Sequence, residues 1–235
     1  MIPRKIHYCW FGRGKKPKLA KKCIESWKRF CPDYEIIEWN EDNFDINQYE
    51  YVKYCYREKK WAFLSDFVRL IVVYEQGGIY FDTDVELIKS PNELLKYEAF
   101  YGFENKEIIA TGLGFGAEKE HKTVKEMIDI YLSFNQKADG SFELIGCPNI
   151  NTQVIDNFGL VKGGVRQNIG GAEIFPVDYF NPLNDATGKL CITENTIAIN
   201  HYGKSWMNKK DIIRSRLSRP LHRIFGTDFF RKHWL

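Results

Sequence analysis

Two carboxylates, Asp82 and Asp84, are separated by Thr83 and follow a short apolar stretch. In an extended segment, residues two apart project to the same side, so both carboxylates would face one point. Their mutual repulsion is relieved by a hard divalent cation, Mg²⁺ or Mn²⁺, which leaves coordination positions open for substrate phosphates. A D-x-D pair is weak evidence alone, because a solvated turn has the same composition. It indicates a metal site only if its surroundings support one.

Three polar residues interrupt the apolar segment that precedes the acidic pair. Ser65, Asp66 and Arg69 share one face of a predicted helix, since they are three or four residues apart. Asp66 can accept a hydrogen bond from a sugar hydroxyl, and Arg69 can stabilise a phosphate or orient Asp66. A plain helical salt bridge is the alternative. The double glycine at 77–78 ends this helix directly before the strand that leads to the acidic pair.

The elements that must position these residues alternate between strands and helices. The pattern predicts strands at residues 5–11, 34–39, 79–81, 85–88 and 197–202. It predicts helices at residues 19–30, 61–76, 123–134 and 148–158. A β-α-β opening is typical of a parallel sheet, so we expect an α/β fold. The acidic pair then lies at a strand end, where open α/β sheets bind ligands.

The net charge of +3 is concentrated at the carboxyl terminus. Residues 214–235 carry six Lys or Arg against one Asp, whereas the remainder of the chain has a net charge of about −2. Apolar residues between the basic ones form a rough helical stripe, which suits an anionic membrane surface. Docking of this helix on the domain's own core is the alternative. The negative balance of the main body argues against general nucleic-acid binding.

Composition limits the remaining classes. The chain has 235 residues and 44% hydrophobic residues, which is enough for one full core. Six cysteines lack a C-x-x-C pair, so we expect free thiols in a reducing compartment. No signal peptide or membrane span is visible, and we expect a cytoplasmic protein, peripheral at the inner face of the plasma membrane through its basic helix. We expect His121 at the surface.

Three segments of the chain resemble glycosyltransferase family 32. Residues 62–69 (AFLSDFVR) with 74–84 (YEQGGIYFDTD) resemble the family's DXD sugar-binding region. Residues 2–12 (IPRKIHYCWFG) resemble its opening strand, and residues 200–206 (NHYGKSW) its closing loop. The family includes fungal initiating mannosyltransferases, bacterial capsule and oligosaccharide transferases, and relatives of the glucosylating toxins. The resemblance extends over about residues 2–206.

The resemblance implies a GT-A type fold with a single mixed, mainly parallel sheet flanked by helices. That domain would span residues 1–213, followed by the basic amphipathic helix at 214–235. The implied activity is retaining and metal-dependent. It moves a hexose or N-acetylhexosamine from a nucleotide diphosphate sugar to a polysaccharide or oligosaccharide acceptor that is lipid-linked. A UDP sugar is favoured by analogy with the short bacterial members of the family. Capsule polysaccharide biosynthesis is the implied setting.

The resemblance also implies roles for individual residues. Trp10 would lie beside the base, Ser65, Asp66 and Arg69 at the donor sugar, and Tyr80 and Asp82 near the ribose or the metal. Lys204, Ser205 and Trp206 would cover the diphosphate. The metal, Mn²⁺ or Mg²⁺, would be bound by Asp84 directly, by Asp82, and by His201 or Ser205. Asp66, Arg69, Asp82 and Asp84 are the candidate catalytic residues.

The mechanism we expect needs no protein nucleophile. The metal at Asp84 neutralises the departing diphosphate, Lys204 or Arg69 adds positive charge, and the acceptor hydroxyl attacks from the same face. The segments 112–116 (GLGFG) and 149–153 would line the acceptor side.

Two other classes are considered. An aspartyl-nucleophile phosphohydrolase also has D-x-D after an apolar strand, but Glu86 stands where that chemistry has Thr or Val. The second alternative is an inactive membrane-associated binding module, against which the intact acidic pair and His201 argue.

Overall fold

The computed structural model describes residues 1–203 and 209–226 and contains a seven-stranded mixed sheet. The strands are β1 (Lys5–Cys9), β2 (Glu35–Trp39), β3 (Gly78–Tyr80), β4 (Val85–Leu87), β5 (Ala99–Gly102), β6 (Phe115–Ala117), β7 (Gln167–Ile169), β8 (Ala172–Phe175), β9 (Leu183–Asn184), β10 (Lys189–Leu190) and β11 (Ala198–Asn200). The helices are α1 (Lys18–Phe30), α2 (Glu50–Arg57), α3 (Trp61–Gln76), α4 (Lys122–Leu132), α5 (Cys147–Asn157), α6 (Val177–Phe180), α7 (Lys209–Leu217) and α8 (Arg219–Phe225).

The order of strands in the large sheet is β2-β1-β3-β6-β5-β8-β7. Strand β1 is parallel to β2 and β3, and β5 is parallel to β8. Strand β6 is antiparallel to both β3 and β5, so β3 and β5 run in the same direction and end at the same edge of the sheet. Only β6 and β7 run against the others. The predicted mixed, mainly parallel sheet flanked by helices is therefore confirmed.

The two faces of the sheet are covered by separate hydrophobic clusters. Alternate residues of β3 point to opposite faces, as period-two geometry requires: Tyr80 belongs to one cluster and Ile79 to the other. The first cluster is closed by helices α2 to α5. The second is closed by α1, whose Trp27 is fully buried beside Val85 of β4. With both faces covered, functional side chains can reach solvent only at the edges.

The double glycine after α3 fixes the position of β3. Gly77 and Gly78 have φ values of 64° and 116°, which L side chains rarely adopt. A Cβ on Gly78 would lie 2.8 Å from His7 Nε2, so only glycine allows β3 to approach β1 this closely. The predicted end of the helix at Gln76 is confirmed. The turn brings the chain from α3 directly into the strand that ends at Asp82.

The carboxyl-terminal part of the described chain returns to the same edge. Strand β11 pairs antiparallel with β4, which places Asn200 opposite Val85. Helices α7 and α8 follow after the gap in the description, and Arg219 of α8 contacts Asp185 in the hairpin of β9 and β10. Across residues 1–203 and 209–226, no helix has both the length and the apolar character needed to cross a bilayer. All six cysteines are free thiols, and of these only Cys191 is exposed.

Candidate functional site

The acidic pair lies in a turn just beyond the carboxyl end of β3. The Val85 N–H donates to the carbonyl of Asp82 at 3.0 Å, which closes the turn. The extended geometry that we predicted for this segment is therefore wrong, because the chain bends to enter β4. The carboxylates still influence each other: burial, and after it the negative charge of Asp82, raises the pKa of Asp84 to about 6.

Asp82 is tied to α3 by a buried arginine. Arg69 Nη2 lies 2.8 Å from Asp66 Oδ1 and 3.0 Å from Asp82 Oδ1. The Tyr80 hydroxyl donates to the same Asp82 oxygen at 2.9 Å, and the guanidinium carbon of Arg69 stands 4.8 Å from the Tyr80 ring centroid. Arg69 is only 2% exposed. The alternative of a salt bridge confined to the helix is therefore wrong, because Arg69 also joins α3 to Asp82.

Asp84 is held by the loop that follows β11. Its Oδ2 accepts a hydrogen bond of 2.7 Å from the Gly203 N–H, and its carbonyl accepts one of 2.9 Å from the His201 N–H. A Cβ on Gly203 would come within 3.2 Å of Asp84 Oδ2. The loop therefore positions the second carboxylate as Arg69 positions the first.

The His201 side chain contacts a carboxylate outside the acidic pair. Its Nε2 lies 2.7 Å from Glu86 Oε2, and Lys22 Nζ contacts the same oxygen at 2.7 Å. A histidine that binds a metal commonly donates its other ring N–H to a carboxylate. In this structure Glu86 holds the ring through Nε2, and a role for His201 as a metal ligand stays a prediction.

The acidic pair fits a divalent ion that completes its coordination with substrate. Within the described ranges, no three His, Cys, Asp or Glu side chains are grouped so that they could hold a metal ion on their own. Mg²⁺ sites typically use one or two carboxylates together with waters and substrate phosphates. Asp82 and Asp84 provide that partial set.

The other predicted donor-site residues lie in two places. Trp10, half-buried just beyond the end of β1, donates its indole N–H to the Gly14 carbonyl at 2.7 Å, and Lys16 Nζ lies 5.5 Å from its ring. Ser65 supports Arg69 through its main chain, because its carbonyl accepts from Arg69 Nε at 3.1 Å. The predicted residues Lys204, Ser205 and Trp206 fall outside the described residues.

Gly112, in one of the two segments assigned to the acceptor side, and Cys147 lie close to the Arg69 guanidinium. A Cβ on Gly112 would overlap Asp82 Oδ2 and lie 3.1 Å from Arg69 Nη1. The thiol of Cys147, the first residue of α5, lies 3.8 Å from Arg69 Nη1 and also hydrogen-bonds to Asp66. The glycine-rich segment 112–116 indicated that Gly112 could belong to the site, whereas no sequence pattern indicated a role for Cys147.

The chain is similar to known proteins in sequence and in fold. Residues 17–101 match the model of the glycosyltransferase sugar-binding region containing the DXD motif. The inositol phosphoceramide mannosyltransferase 3 of Schizosaccharomyces pombe is 31% identical over 110 residues, which cover 42% of this chain and 29% of that protein. This chain thus matches less than a third of the relative's length. A solved structure described as the PaToxG glycosyltransferase superposes with a TM-score of 0.54 at 18% identity, covering 66% of this chain and 69% of that one.

The mixed, mainly parallel sheet flanked by helices is a fold of GT-A type. Asp82 and Asp84 lie within the residues that match the DXD-containing glycosyltransferase sugar-binding region, as the sequence resemblance predicted.

Proposed function

We propose that the protein transfers a hexose or N-acetylhexosamine from a nucleotide diphosphate sugar to a glycan acceptor, with a divalent metal bound by Asp82 and Asp84. The observation that carries this proposal is the acidic pair at the carboxyl edge of β3, joined through buried Arg69 to Asp66. Paired carboxylates at this edge suit a metal that grips a diphosphate, and Asp66 beside them suits a sugar hydroxyl.

The chain's own groups act by positioning and by charge. Arg69 holds Asp66 and Asp82 in fixed directions, and Gly203 holds Asp84, so little rearrangement is needed when the donor binds. When bound, Mn²⁺ or Mg²⁺ supplies positive charge for the leaving diphosphate. No side chain has to act as nucleophile: the acceptor hydroxyl attacks the sugar carbon on the face that the diphosphate leaves, the bond from that carbon to the diphosphate breaks, and the leaving phosphate oxygen takes the hydroxyl proton. Such a path retains the anomeric configuration.

The finer substrate assignment rests on analogy. UDP is the nucleotide we favour, and an oligosaccharide or polysaccharide acceptor, lipid-linked and of the capsule type, is the acceptor class we propose. The name of the yeast relative, an inositol phosphoceramide mannosyltransferase, supports a hexose as the sugar transferred. Screening a panel of nucleotide sugars for Mn²⁺-dependent hydrolysis identifies the donor.

The direct test of the proposed function is Asp84→Asn. This change keeps the shape of the side chain and its hydrogen bond from Gly203 but removes the charge that holds the metal. We expect loss of nearly all sugar transfer and donor hydrolysis, with a thermal unfolding temperature close to that of the wild type. A variant as active as the wild type would exclude a role for the acidic pair.

The same preparation tests the phosphohydrolase alternative. Release of phosphate from p-nitrophenyl phosphate by the wild type, with no requirement for a nucleotide sugar, would favour that class. The contacts of Glu86 argue against it, since Lys22 and His201 both bind the carboxylate that replaces the expected Thr or Val.

We further propose a peripheral contact with an anionic membrane, made through α7 and α8 at the inner face of the plasma membrane. Exposed apolar side chains follow one stripe of these helices: Ile213, Leu217, Leu221, Ile224 and Phe225. Basic residues of the same helices, Lys210 and Arg214, are exposed beside the stripe. An apolar stripe with basic flanks is typical of helices that lie in the interface of anionic membranes, and this site would bring the enzyme to a lipid-linked acceptor. If the protein were instead an inactive membrane-associated binding module, this membrane contact would be its only function.

A further inference from the structure

A second group of polar side chains lies at the same edge of the sheet as the acidic pair. Glu104 follows β5 by two residues, and β5 ends at the same edge as β3. Asn181 comes after β8 and α6, and β8 is parallel to β5. Tyr202 follows β11, next to the glycine that binds Asp84. Neither the sequence pattern nor the donor site accounts for these three residues.

The amide of Asn181 is fixed with its oxygen unpaired. Its Nδ2 donates both protons, one to the Glu104 carbonyl at 2.9 Å and one to the Tyr202 hydroxyl at 2.6 Å. Asn181 is 5% exposed, and its Oδ1 is buried with no hydrogen-bond partner. Turning the amide over would place Oδ1 against the Glu104 carbonyl, so the orientation is determined. Because this oxygen is inaccessible, Asn181 acts by holding the Tyr202 hydroxyl in place and not by contacting a ligand.

Tyr202 supplies the complementary group. Its hydroxyl oxygen accepts from Asn181, which leaves its own proton with no acceptor among the residues that the structure describes. The backbone of Tyr202 has a φ of 49°, a left-handed conformation that is uncommon for an aromatic residue. Strain of this kind is retained where the position of a side chain matters. The next residue, Gly203, binds Asp84.

Glu104 adds a carboxylate that the described chain does not use. Within residues 1–203 and 209–226 its side chain has no hydrogen bond or ion pair, although it is only partly exposed. Burial raises the pKa of this carboxyl group, and the charge of Asp185 raises it further. A half-buried carboxylate held without donors is unfavourable in the free protein and becomes favourable when hydroxyl groups bind to it.

We propose that Glu104 and Tyr202, with Asn181 positioning the Tyr202 hydroxyl, form the subsite that binds hydroxyl groups of the acceptor saccharide. Sugar hydroxyls both donate and accept, which matches the unpaired carboxylate of Glu104 and the unpaired hydroxyl proton of Tyr202. The subsite lies beside Asp84, because Tyr202 directly precedes the glycine whose N–H binds that carboxylate. The negative charge of Glu104 favours a neutral saccharide here. The assignment of this saccharide as the acceptor rests on the proposed function, whereas the binding of a saccharide at these residues does not.

Direct binding to methyl glycosides tests the subsite without any donor. We would measure saturation-transfer NMR between the full chain and a panel of methyl glycosides of neutral hexoses, with and without UDP and Mg²⁺. Binding should weaken by about ten-fold in Glu104→Gln and in Tyr202→Phe, since each removes one hydrogen bond to the sugar. The control is Glu107→Gln, which removes the same charge from an exposed position on the same loop and should bind as the wild type does.

Each outcome separates the subsite from the donor site. Binding that persists with UDP and Mg²⁺ present, and that weakens only in the Glu104 and Tyr202 variants, supports the proposal. Equal binding by all variants, or no methyl glycoside bound by the wild type, overturns it. If UDP and Mg²⁺ fail to stabilise the wild type against heat, the proposed function fails, whereas the saccharide measurement still decides the subsite.

Discussion

Asp82 uses one carboxylate oxygen for the protein and keeps the other beside Gly112. Its Oδ1 accepts hydrogen bonds from both Arg69 and Tyr80, so the side chain cannot rotate to avoid an added group at position 112. The sequence pattern predicted that Asp66 and Arg69 share a helical face. It could not predict that Arg69 also holds Asp82, because that contact depends on how tightly the double glycine turns the chain.

At the scale of single residues, we expect Gly112→Ala to lower activity with little loss of stability. The added methyl would overlap Asp82 Oδ2, and Asp82 is fixed by Arg69 and Tyr80. Because no backbone strain is involved, the effect should be mainly on metal and donor binding, and we expect kcat/KM for donor hydrolysis to fall by about ten-fold or more.

The matched control for this change is Gly146→Ala. A Cβ at Gly146 would meet only Pro148 Cδ, at 3.7 Å, which is ordinary packing distance. Kinetics of donor hydrolysis and titration of Mn²⁺ by electron paramagnetic resonance measure the two effects. Equal kinetics for Gly112→Ala and the control would show that Asp82 tolerates the methyl group.

At the scale of the elements, the contacts of β1 with its neighbours depend on a neutral histidine. His7 Nε2 lies 2.8 Å from the Gly77 carbonyl, and its Nδ1 accepts from the Trp39 indole N–H at 3.1 Å. These two contacts require a proton on Nε2 and none on Nδ1. Burial lowers the pKa of His7 to about 4, so the folded protein resists the second proton. The histidine thereby links β1 to β2 and to the turn before β3.

We expect this histidine to make the fold sensitive to mild acid. The pKa of His7 is about 6.5 in the unfolded chain and about 4 in the folded protein, so its contribution is complete above pH 6.5 and is lost as the pH falls towards 4. Between pH 7.5 and pH 5, this residue alone should reduce the free energy of unfolding by about 2 kcal/mol.

Comparison with His7→Gln isolates that contribution. Urea unfolding of both proteins at pH 7.5 and pH 5 gives the loss for each, and titration of the other groups cancels in the difference. The variant should be less stable at pH 7.5 but should lose about 2 kcal/mol less on acidification. The same loss in both proteins would mean that His7 carries no pH dependence.

Elements with a clear period were predicted well, and buried short strands were not. The predicted range of α3 is confirmed. Its sixteen residues contain several helical turns, so the helical period was clear in the sequence. Strand β5 was missed because all four of its residues are buried, so no alternation marks it. Helix α2 was missed too, since eight residues give a weak signal. His121, predicted to be exposed, is 8% exposed and accepts from the Thr123 N–H at the start of α4.

At the scale of the whole molecule, the basic helices are attached to the domain by polar contacts. Arg219 Nη2 lies 3.1 Å from Asp185 Oδ1, and Arg223 Nε donates to the Thr187 carbonyl at 2.6 Å. The apolar stripe remains outside: Leu217 and Ile224 are each 73% exposed. The arrangement differs from the predicted alternative of a helix docked on the core by its apolar face.

We expect the full chain to sediment with vesicles that contain phosphatidylglycerol and not with vesicles of phosphatidylcholine alone. Apolar burial and attraction to anionic lipid act together, so salt should weaken the binding. Leu217→Ser with Leu221→Ser should abolish it, whereas Leu190→Ser, an exposed leucine on the hairpin, should not. Equal binding to both kinds of vesicle, or to neither, would contradict the membrane contact.

Because five of the six thiols are buried, a thiol reagent can modify the sixth selectively. Cys191 is exposed, and its N–H donates to the Pro182 carbonyl at 3.0 Å, so it lies beside the segment that carries Asn181. A nitroxide reagent should therefore modify the native protein at this single position, with no engineered cysteine. Paramagnetic broadening between that label and bound Mn²⁺ would then measure, in solution, how far the edge of the sheet lies from the metal.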